Sequence, residues 1–358
     1  MAALPPGSTI GILGGGQLAR MLALAAAPLG LKCHIYAPEP DSPAFQVASA
    51  RTIAAYDDQT ALQLFAAQVE AITFEFENVP VATVKFLENL VPVRPGSKAL
   101  GVAQDRIAEK TLAKTLGALT ADFASVVSLE ELRAQAGRIG FPGILKTIRF
   151  GYDGKGQSKI NSMQDCEAAW AAVKGQPSIY EGFVNFEREV SVLIARGLDG
   201  KVAVFDVTEN VHRNHILHTS TVPARISPEL AAEAVFVAQR LAETLEYVGI
   251  LGVEFFVGLD VLYVNEIAPR VHNSGHWTQD GCLVSQFEQH MRAVAGWPLG
   301  ATQRHSDVVM TNLIGNEIDG WATFAEEPNT AIHIYGKAEK RQGRKMGHVN
   351  RIFPLTIR

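Results

Sequence analysis

The stretch Val253-Glu254-Phe255-Phe256-Val257-Gly258-Leu259-Asp260-Val261-Leu262-Tyr263-Val264-Asn265-Glu266-Ile267-Ala268-Pro269-Arg270 decides the reading of this chain. Two apolar runs flank a Gly/Asp turn, which is the pattern of a β-hairpin. Closing the hairpin with a two- or three-residue loop sets Glu266 opposite or diagonal to Glu254, near enough to share a ligand. Like charges so placed repel, and burial among Phe, Val and Leu costs each of them hydration. A hard divalent cation between the two carboxylates resolves the conflict, and magnesium held this way usually brings phosphates with it. The hairpin therefore predicts an enzyme that handles a nucleoside triphosphate.

Composition sets the bounds. At 358 residues the chain exceeds what one core usually supports and predicts two or three domains. A hydrophobic fraction of 47% with 19% charged residues is that of a soluble globular protein, and a net charge of -5 argues against nucleic acid or an anionic membrane as the main partner. Cys33, Cys166 and Cys282 are odd in number, far apart and without metal-ligand spacing, so they read as buried thiols of a cytoplasmic protein. The N-terminus lacks the charged region, apolar run and cleavage site of a leader and reads as untargeted. No apolar stretch approaches a membrane span.

Outward from the hairpin, residues 8–95 alternate strands (8–13, 32–36, 71–74) with helical patterns (17–27), as in a parallel sheet covered by helices. Residues 91–96 break the pattern. Residues 98–116 read as one helix carrying Asp105, Arg106 and Lys110, with Gly117 as its stop. Residues 118–180 form a small α+β unit, residues 187–267 are dominated by strands around a helix at 228–245, and residues 301–358 are strand-rich.

Other motifs point toward phosphate, each with a plainer alternative. Gly14-x-Gly16-x-x-Ala19, with Glu39 further on, fits a dinucleotide fingerprint, another phosphate ester at a helix N-terminus, or a tight structural turn. The loop Gly151-Tyr152-Asp153-Gly154-Lys155-Gly156-Gln157 lies between two strands, which excludes a P-loop but suits a lid that offers backbone donors to phosphates, unless it is only a solvated hairpin. Lys146 in an apolar strand needs a partner, and a nucleotide phosphate is a good one. Residues 179–192 offer acceptors for an adenine amino group and ribose hydroxyls, or a salt-bridged sheet face. A zinc pair of His272 and His276 lacks a third ligand. The basic run Lys337, Lys340, Arg341, Arg344 and Lys345 suits a solvated loop, a nucleic-acid patch, or closure over a small anion.

Taken in order, Arg106, Lys146, the loop 151–157, Glu181-Gly182-Phe183-Val184, Glu189 and the Glu254/Glu266 pair resemble the ATP-grasp superfamily over almost the whole chain. Many of its members carry Glu-x-Asn at the second metal site. Here Ala268 stands in the third position and removes that side-chain ligand. Within the superfamily, Gly14-Gly15-Gly16-Gln17-Leu18, Phe76-Glu77-Asn78-Val79, the run from Asn265 to His276 and Gly343-Arg344-Lys345-Met346-Gly347-His348 resemble the 5-(carboxyamino)imidazole ribonucleotide synthetase family of purine biosynthesis. Formate-using glycinamide ribonucleotide transformylases differ in carrying His-Asp-Thr-Gly at residues 272–275. Biotin carboxylases are longer and carry a Val-Glu-His element missing here.

The resemblance implies a mixed α/β and α+β ATP-grasp fold. It would comprise an N-terminal parallel-sheet, Rossmann-like domain (1–96), a small ATP-grasp subdomain with the Gly-rich lid (97–185), a central subdomain with the metal site (186–300) and a small strand-rich C-terminal domain (301–358). It implies ATP and magnesium as cofactors, 5-aminoimidazole ribonucleotide and bicarbonate as partners, and a cytoplasmic homodimer. It further implies that Glu254 and Glu266 hold the metal. ATP would lie against Arg106, Lys146, Gly151, Tyr152, Asp153, Gly154, Lys155, Gly156, Gln157, Glu181, Gly182, Phe183, Val184, Glu189, His212, Asn265 and Glu266. The ribonucleotide would sit on Gly15, Gly16, Gln17, Leu18, Lys337 and Arg344, with Glu77, or else Glu75, on its ribose. Tyr152, Asp153, Lys155, Arg270, His272, Asn273 and Ser274 would carry the chemistry.

Overall fold

The computed structural model describes residues 2–149 and 156–356. Among these, three sheets organise the chain. The first is parallel, in the order β3-β2-β1-β4, and consists of β1 (Thr9–Leu13), β2 (Lys32–Ala37), β3 (Ala50–Ile53) and β4 (Ala71–Phe74). Ile10, Ile12, Ile35, Ile72 and Phe74 are all fully buried, because a sheet covered by helices on both faces needs near-continuous apolar strands. The helix Gln17–Ala26 follows β1 and buries Leu18, Met21 and Leu22 against the helix Gln286–Ala295.

The second sheet is antiparallel, in the order β5-β8-β6-β7: β5 (Phe123–Val126), β6 (Gly143–Thr147), β7 (Gln157–Ile160) and β8 (Ser178–Gly182). The third has nine strands: β9 (Arg188–Arg196), β10 (Val202–Val204), β11 (Thr208–Arg213), β12 (Ile216–Val222), β13 (Gly249–Gly258), β14 (Val261–Ala268), β15 (Asp307–Ile314), β16 (Thr330–Ile334) and β17 (Lys345–Phe353). Its hydrogen bonding runs on across residue 300, since β12 pairs with β15. One face is apolar: Val190, Val192, Val253 and Phe255 pack on the helix Pro228–Thr244. Strand alternation sends Glu189, Ser191 and Glu254 to the other face, and that face becomes the wall of the site.

Residues 98–116 are not one helix. The structure has Ser97–Ala103 and Arg106–Thr115, separated because Asp105 takes an extended conformation and caps the second helix, accepting from the amides of Ile107 and Ala108, each at 3.1 Å. The break frees Gln104 to donate to the carbonyls of Glu77 and Val79, both at 2.7 Å, and so to tie down the loop after β4. Cys33, Cys166 and Cys282 are buried and unpaired, and no described helix is long and apolar enough to cross a membrane.

Candidate active site

The hairpin β13–β14 turns through Leu259 and Asp260, with Asp260 in the left-handed region (φ 51°). Phe255 pairs with Val264, whereas Glu254 pairs with Glu266, so Asn265 is an extra, bulged residue. Without that bulge Glu266 would swing to the apolar face, because one residue of slip inverts every side chain beyond it. Two contacts from the helix Arg106–Thr115 hold the bulge: Lys110 Nζ donates to the Asn265 carbonyl at 3.1 Å, and the Glu109 carboxylate accepts from the Ile267 amide.

Glu254 and Glu266 thus share one face, at the wall of a cavity of about 760 Å³. The protein enclosing the cavity wall first, and then the Glu254 charge, push the Glu266 carboxyl upward, although its side chain is open to the cavity and not buried among apolar residues as the hairpin pattern predicts. Burial, the largest single influence, acts the same way on Glu254, but the hydrogen bond with His272 Nε2, at 3.0 Å, together with the charges of His272, His212 and Lys345, holds that carboxyl well below its ordinary range. Glu189 and His212 stand beside them, His212 Nδ1 lying 3.0 Å from Glu189. One ligand atom each of Glu189, His212 and Glu254 falls within 4.8 Å of the others. Glu266 falls outside that group; its carboxylate and that of Glu254 are the hard oxygen donors that suit a divalent cation.

The same cavity is lined by Arg106, Lys146, Gly156, Gln157, Phe183, Glu189, His212, Asn265, Arg270, His272 and Asn273, and also by Gln17, Leu18 and Glu77. Gly151, Tyr152, Asp153, Gly154 and Lys155 lie outside the described residues. Arg270 Nε donates to Glu77, and although burial alone would raise the Glu77 carboxyl, Arg270 brings it to about 2. The Asn273 and Asn312 amides exchange hydrogen bonds at 3.0 and 2.8 Å, which fixes Asn273 from β15.

Several expected site residues are placed differently. Glu181 is buried between Lys146 Nζ at 2.8 Å and Lys110 Nζ at 3.5 Å, so its carboxylate serves the two lysines and does not line the cavity. Lys146 therefore has a protein partner before any phosphate arrives. The amides of Gly182 and Phe183 are already engaged with the carbonyls of Asp122 and Pro142. Ser274 is fully buried behind His272 and lines nothing.

At the N-terminal loop, Glu75 accepts from the amides of Gly16 and, at 2.9 Å, Ala19, so a carboxylate of the protein already sits where Gly15 and Gly16 were expected to meet phosphate. A side chain at Gly16 would collide with that carboxylate, and Gly14 takes φ 102°, so the glycines here build a tight turn around Glu75. Both oxygens of Glu75 are thus engaged by loop amides, and Glu75 lines the cavity together with Glu77. Arg344 and Lys337 do not line it but Lys345, the first residue of β17, does. Lys337 Nζ donates to the Lys345 carbonyl at 2.7 Å, and burial followed by the Arg344 charge lowers it to about 8. The Glu75 charge acts on Lys337 in the opposite sense, and Gln46 joins the N-terminal domain to the Gly336 carbonyl at 2.8 Å, so the loop and the basic run meet.

Sequence reasoning missed Glu109, Lys345 and Asn312. Lys345 stood inside the basic run, which by itself does not say which of its members faces the cavity. Glu109 and Asn312 act through contacts that only the folded chain makes.

Known proteins share this arrangement. Residues 111–287 match the model of the ATP-grasp domain, residues 7–104 that of the ribonucleotide synthetase preATP-grasp domain, and residues 308–354 that of the phosphoribosylaminoimidazole carboxylase C-terminal domain. The N5-carboxyaminoimidazole ribonucleotide synthase of Brucella melitensis is 54% identical over 99% of both chains. The Staphylococcus aureus synthetase complexed with ADP superposes with a TM-score of 0.94 at 37% identity, over 98% of this chain and 95% of that one. The Aspergillus clavatus synthase complexed with ADP and 5-aminoimidazole ribonucleotide superposes with a TM-score of 0.91 at 28% identity, over 98% and 94%. With a relative this similar along its full length, an ATP-grasp fold and a carboxylate pair where the hairpin put it, the chain belongs to the N5-carboxyaminoimidazole ribonucleotide synthase family.

Proposed function

We propose that this chain uses ATP to carboxylate the exocyclic amine of 5-aminoimidazole ribonucleotide with bicarbonate, giving N5-carboxyaminoimidazole ribonucleotide, ADP and phosphate, as a cytoplasmic homodimer. ATP phosphorylates bicarbonate to carboxyphosphate, and the amine then captures its carboxyl carbon as phosphate departs and one amine proton leaves. The observation that supports this reading is a single cavity of about 760 Å³ lined at once by Glu254 and Glu266, by Arg106 and Lys146, and by Gln17, Leu18, Glu77 and Lys345.

The chain's own residues divide the work. Glu254 and Glu266 supply the oxygen donors for magnesium, which neutralises charge on the transferring phosphoryl group when bound. Arg106 and Lys146 add positive charge beside them, preorganised by the Thr147 carbonyl and by Glu181. Glu189 and His212 face the nucleotide ribose, and Phe183 and Val184 flank the adenine. Glu77, held by Arg270, faces the ribonucleotide hydroxyls, while Gln17, Leu18, Lys337 and Lys345 receive its phosphate. Arg270, His272 and Asn273 line the space between the two substrates. Carboxyphosphate chemistry requires a site from which water is kept out, and the family resemblance assigns Tyr152, Asp153 and Lys155 to the phosphates.

Phosphate release from ATP is the test. It is expected to need both bicarbonate and aminoimidazole ribonucleotide. Release driven instead by formate with glycinamide ribonucleotide, or tight ATP binding with no turnover on any of these, would refute the reading.

A further inference from the structure

A chain of hydrogen bonds leads from Glu254 away from the cavity into the interior. Glu254 Oε1 lies 3.0 Å from His272 Nε2, and His272 Nδ1 lies 2.8 Å from Ser274 Oγ. Ser274 Oγ is 2.6 Å from Ser191 Oγ, which accepts from Asn210 Nδ2 at 2.9 Å. Asn210 Oδ1 in turn accepts from Ser220 Oγ at 2.8 Å. All three serines are fully buried and Asn210 nearly so. Sheet register assembles them: Ser191 of β9 lies opposite Glu254 of β13, and Asn210 of β11 lies opposite Ser220 of β12.

The chain has a direction. An amide nitrogen only donates, and a hydroxyl carries one hydrogen. Because Asn210 donates to Ser191, the Ser191 hydrogen goes to Ser274 and the Ser274 hydrogen goes to His272 Nδ1. Independently, the Ser274 backbone amide donates to the same nitrogen at 3.3 Å. Both facts make Nδ1 an acceptor, so the hydrogen of the neutral ring is on Nε2 and is donated to Glu254. Turning the Asn210 amide over would reverse each hydroxyl and drive an Nδ1 hydrogen against the Ser274 amide.

We infer that Asn210 is a positioning residue, which through Ser191 and Ser274 fixes the Nε2–H tautomer of His272 and so the orientation of the Glu254 carboxylate. Partners one step behind a metal ligand commonly set its orientation and affinity in this way. The consequence for magnesium rests on the reading of Glu254 given above, whereas the tautomer does not.

Nitrogen-15 NMR of the metal-free full chain tests it, with the His272 ring signals assigned by their loss in His272→Gln. Wherever the ring is neutral, the wild type is expected to show the Nε2–H tautomer alone. Asn210→Asp replaces the donor by an acceptor of the same shape and is expected to move the hydrogen to Nδ1. Asn210→Ala, which removes the donor alone, is expected to give a mixture, and it supplies the answer if the aspartate variant does not fold. In folded variants, the magnesium concentration for half-maximal phosphate release is expected to rise about 10-fold. An Nδ1–H wild type, or an unchanged Nε2–H signal in the folded variants, overturns the inference. A displaced tautomer with unchanged magnesium dependence would leave Asn210 as the tautomer-setting residue and count against Glu254 as a metal ligand.

Discussion

Two pairs of acidic residues can be set side by side. Glu75 and Glu77, two residues apart after β4, are both answered by the protein: Glu75 by the amides of Gly16 and Ala19, Glu77 by Arg270. Glu254 and Glu266, twelve positions apart in sequence and paired in register, share a face; His272 reaches Glu254, while Glu266 is pushed up by burial and by its neighbour. The first pair shows carboxylates used as structural acceptors. The second shows an arrangement whose electrostatic cost makes sense with a cation between the two. Proximity of acidic residues therefore means little until their hydrogen-bond partners have been counted.

That contrast can be broken by substitution. Glu266→Gln should lower coupled phosphate release by about 10³-fold while leaving the melting temperature equal or higher, since it removes a repulsion along with a metal donor. Loss of folding without loss of turnover per folded molecule would place Glu266 with the structural pair. Arg270→Met should do the reverse in part: it leaves Glu77 buried without its partner and should cost about 3 kcal/mol or more in urea unfolding, besides weakening substrate turnover.

Lys337 sharpens the comparison at the ribonucleotide end. Its folded-state value of about 8 lies below the ordinary 10.5, so the folded chain sheds this proton first. Above about pH 8 the KM for aminoimidazole ribonucleotide should rise, approaching tenfold per pH unit. The cost of burying the charge is full below that pH and is relieved as pH climbs toward 10.5, so the affinity loss should come without unfolding by this group. A flat KM profile would remove Lys337 from the phosphate site. The smallest effect concerns Glu109, raised to about 8 by burial first and then by Glu266. The metal-free fold keeps its proton beyond the ordinary 4.5, so its contribution to stability falls as pH rises between those values. Glu109→Gln should flatten that part of the decline in thermal melts, and an unchanged slope would refute the assignment.

The hairpin, the parallel sheet and the order of the phosphate-facing segments were legible in the sequence because they rest on local alternation and turn chemistry. The bulge at Asn265 was not, although it decides which face Glu266 takes. It is held by Lys110 and Glu109 from a helix more than 150 residues earlier, and no local pattern carries that information. Asp105 did carry a signal as an N-cap, but the surrounding helix formers masked it. Glu181, Ser274 and Gly16 were assigned to ligands because their residue types suit ligands, while in the fold they contact lysines, a histidine and Glu75. Family resemblance picked residues that the fold largely gathers around one cavity, and it does not separate residues that line the cavity from residues that support them.

The central claim is that one cavity joins a metal-bound triphosphate to a ribonucleotide amine through an activated bicarbonate. Carbon-13 NMR with labelled bicarbonate, ATP, magnesium and aminoimidazole ribonucleotide tests it most directly. The account predicts a carbamate carbon bonded to the exocyclic nitrogen, formed one for one with ADP and absent in Glu266→Gln. Formation of ADP with no labelled carbamate, or carbamate yield independent of ATP, would contradict it.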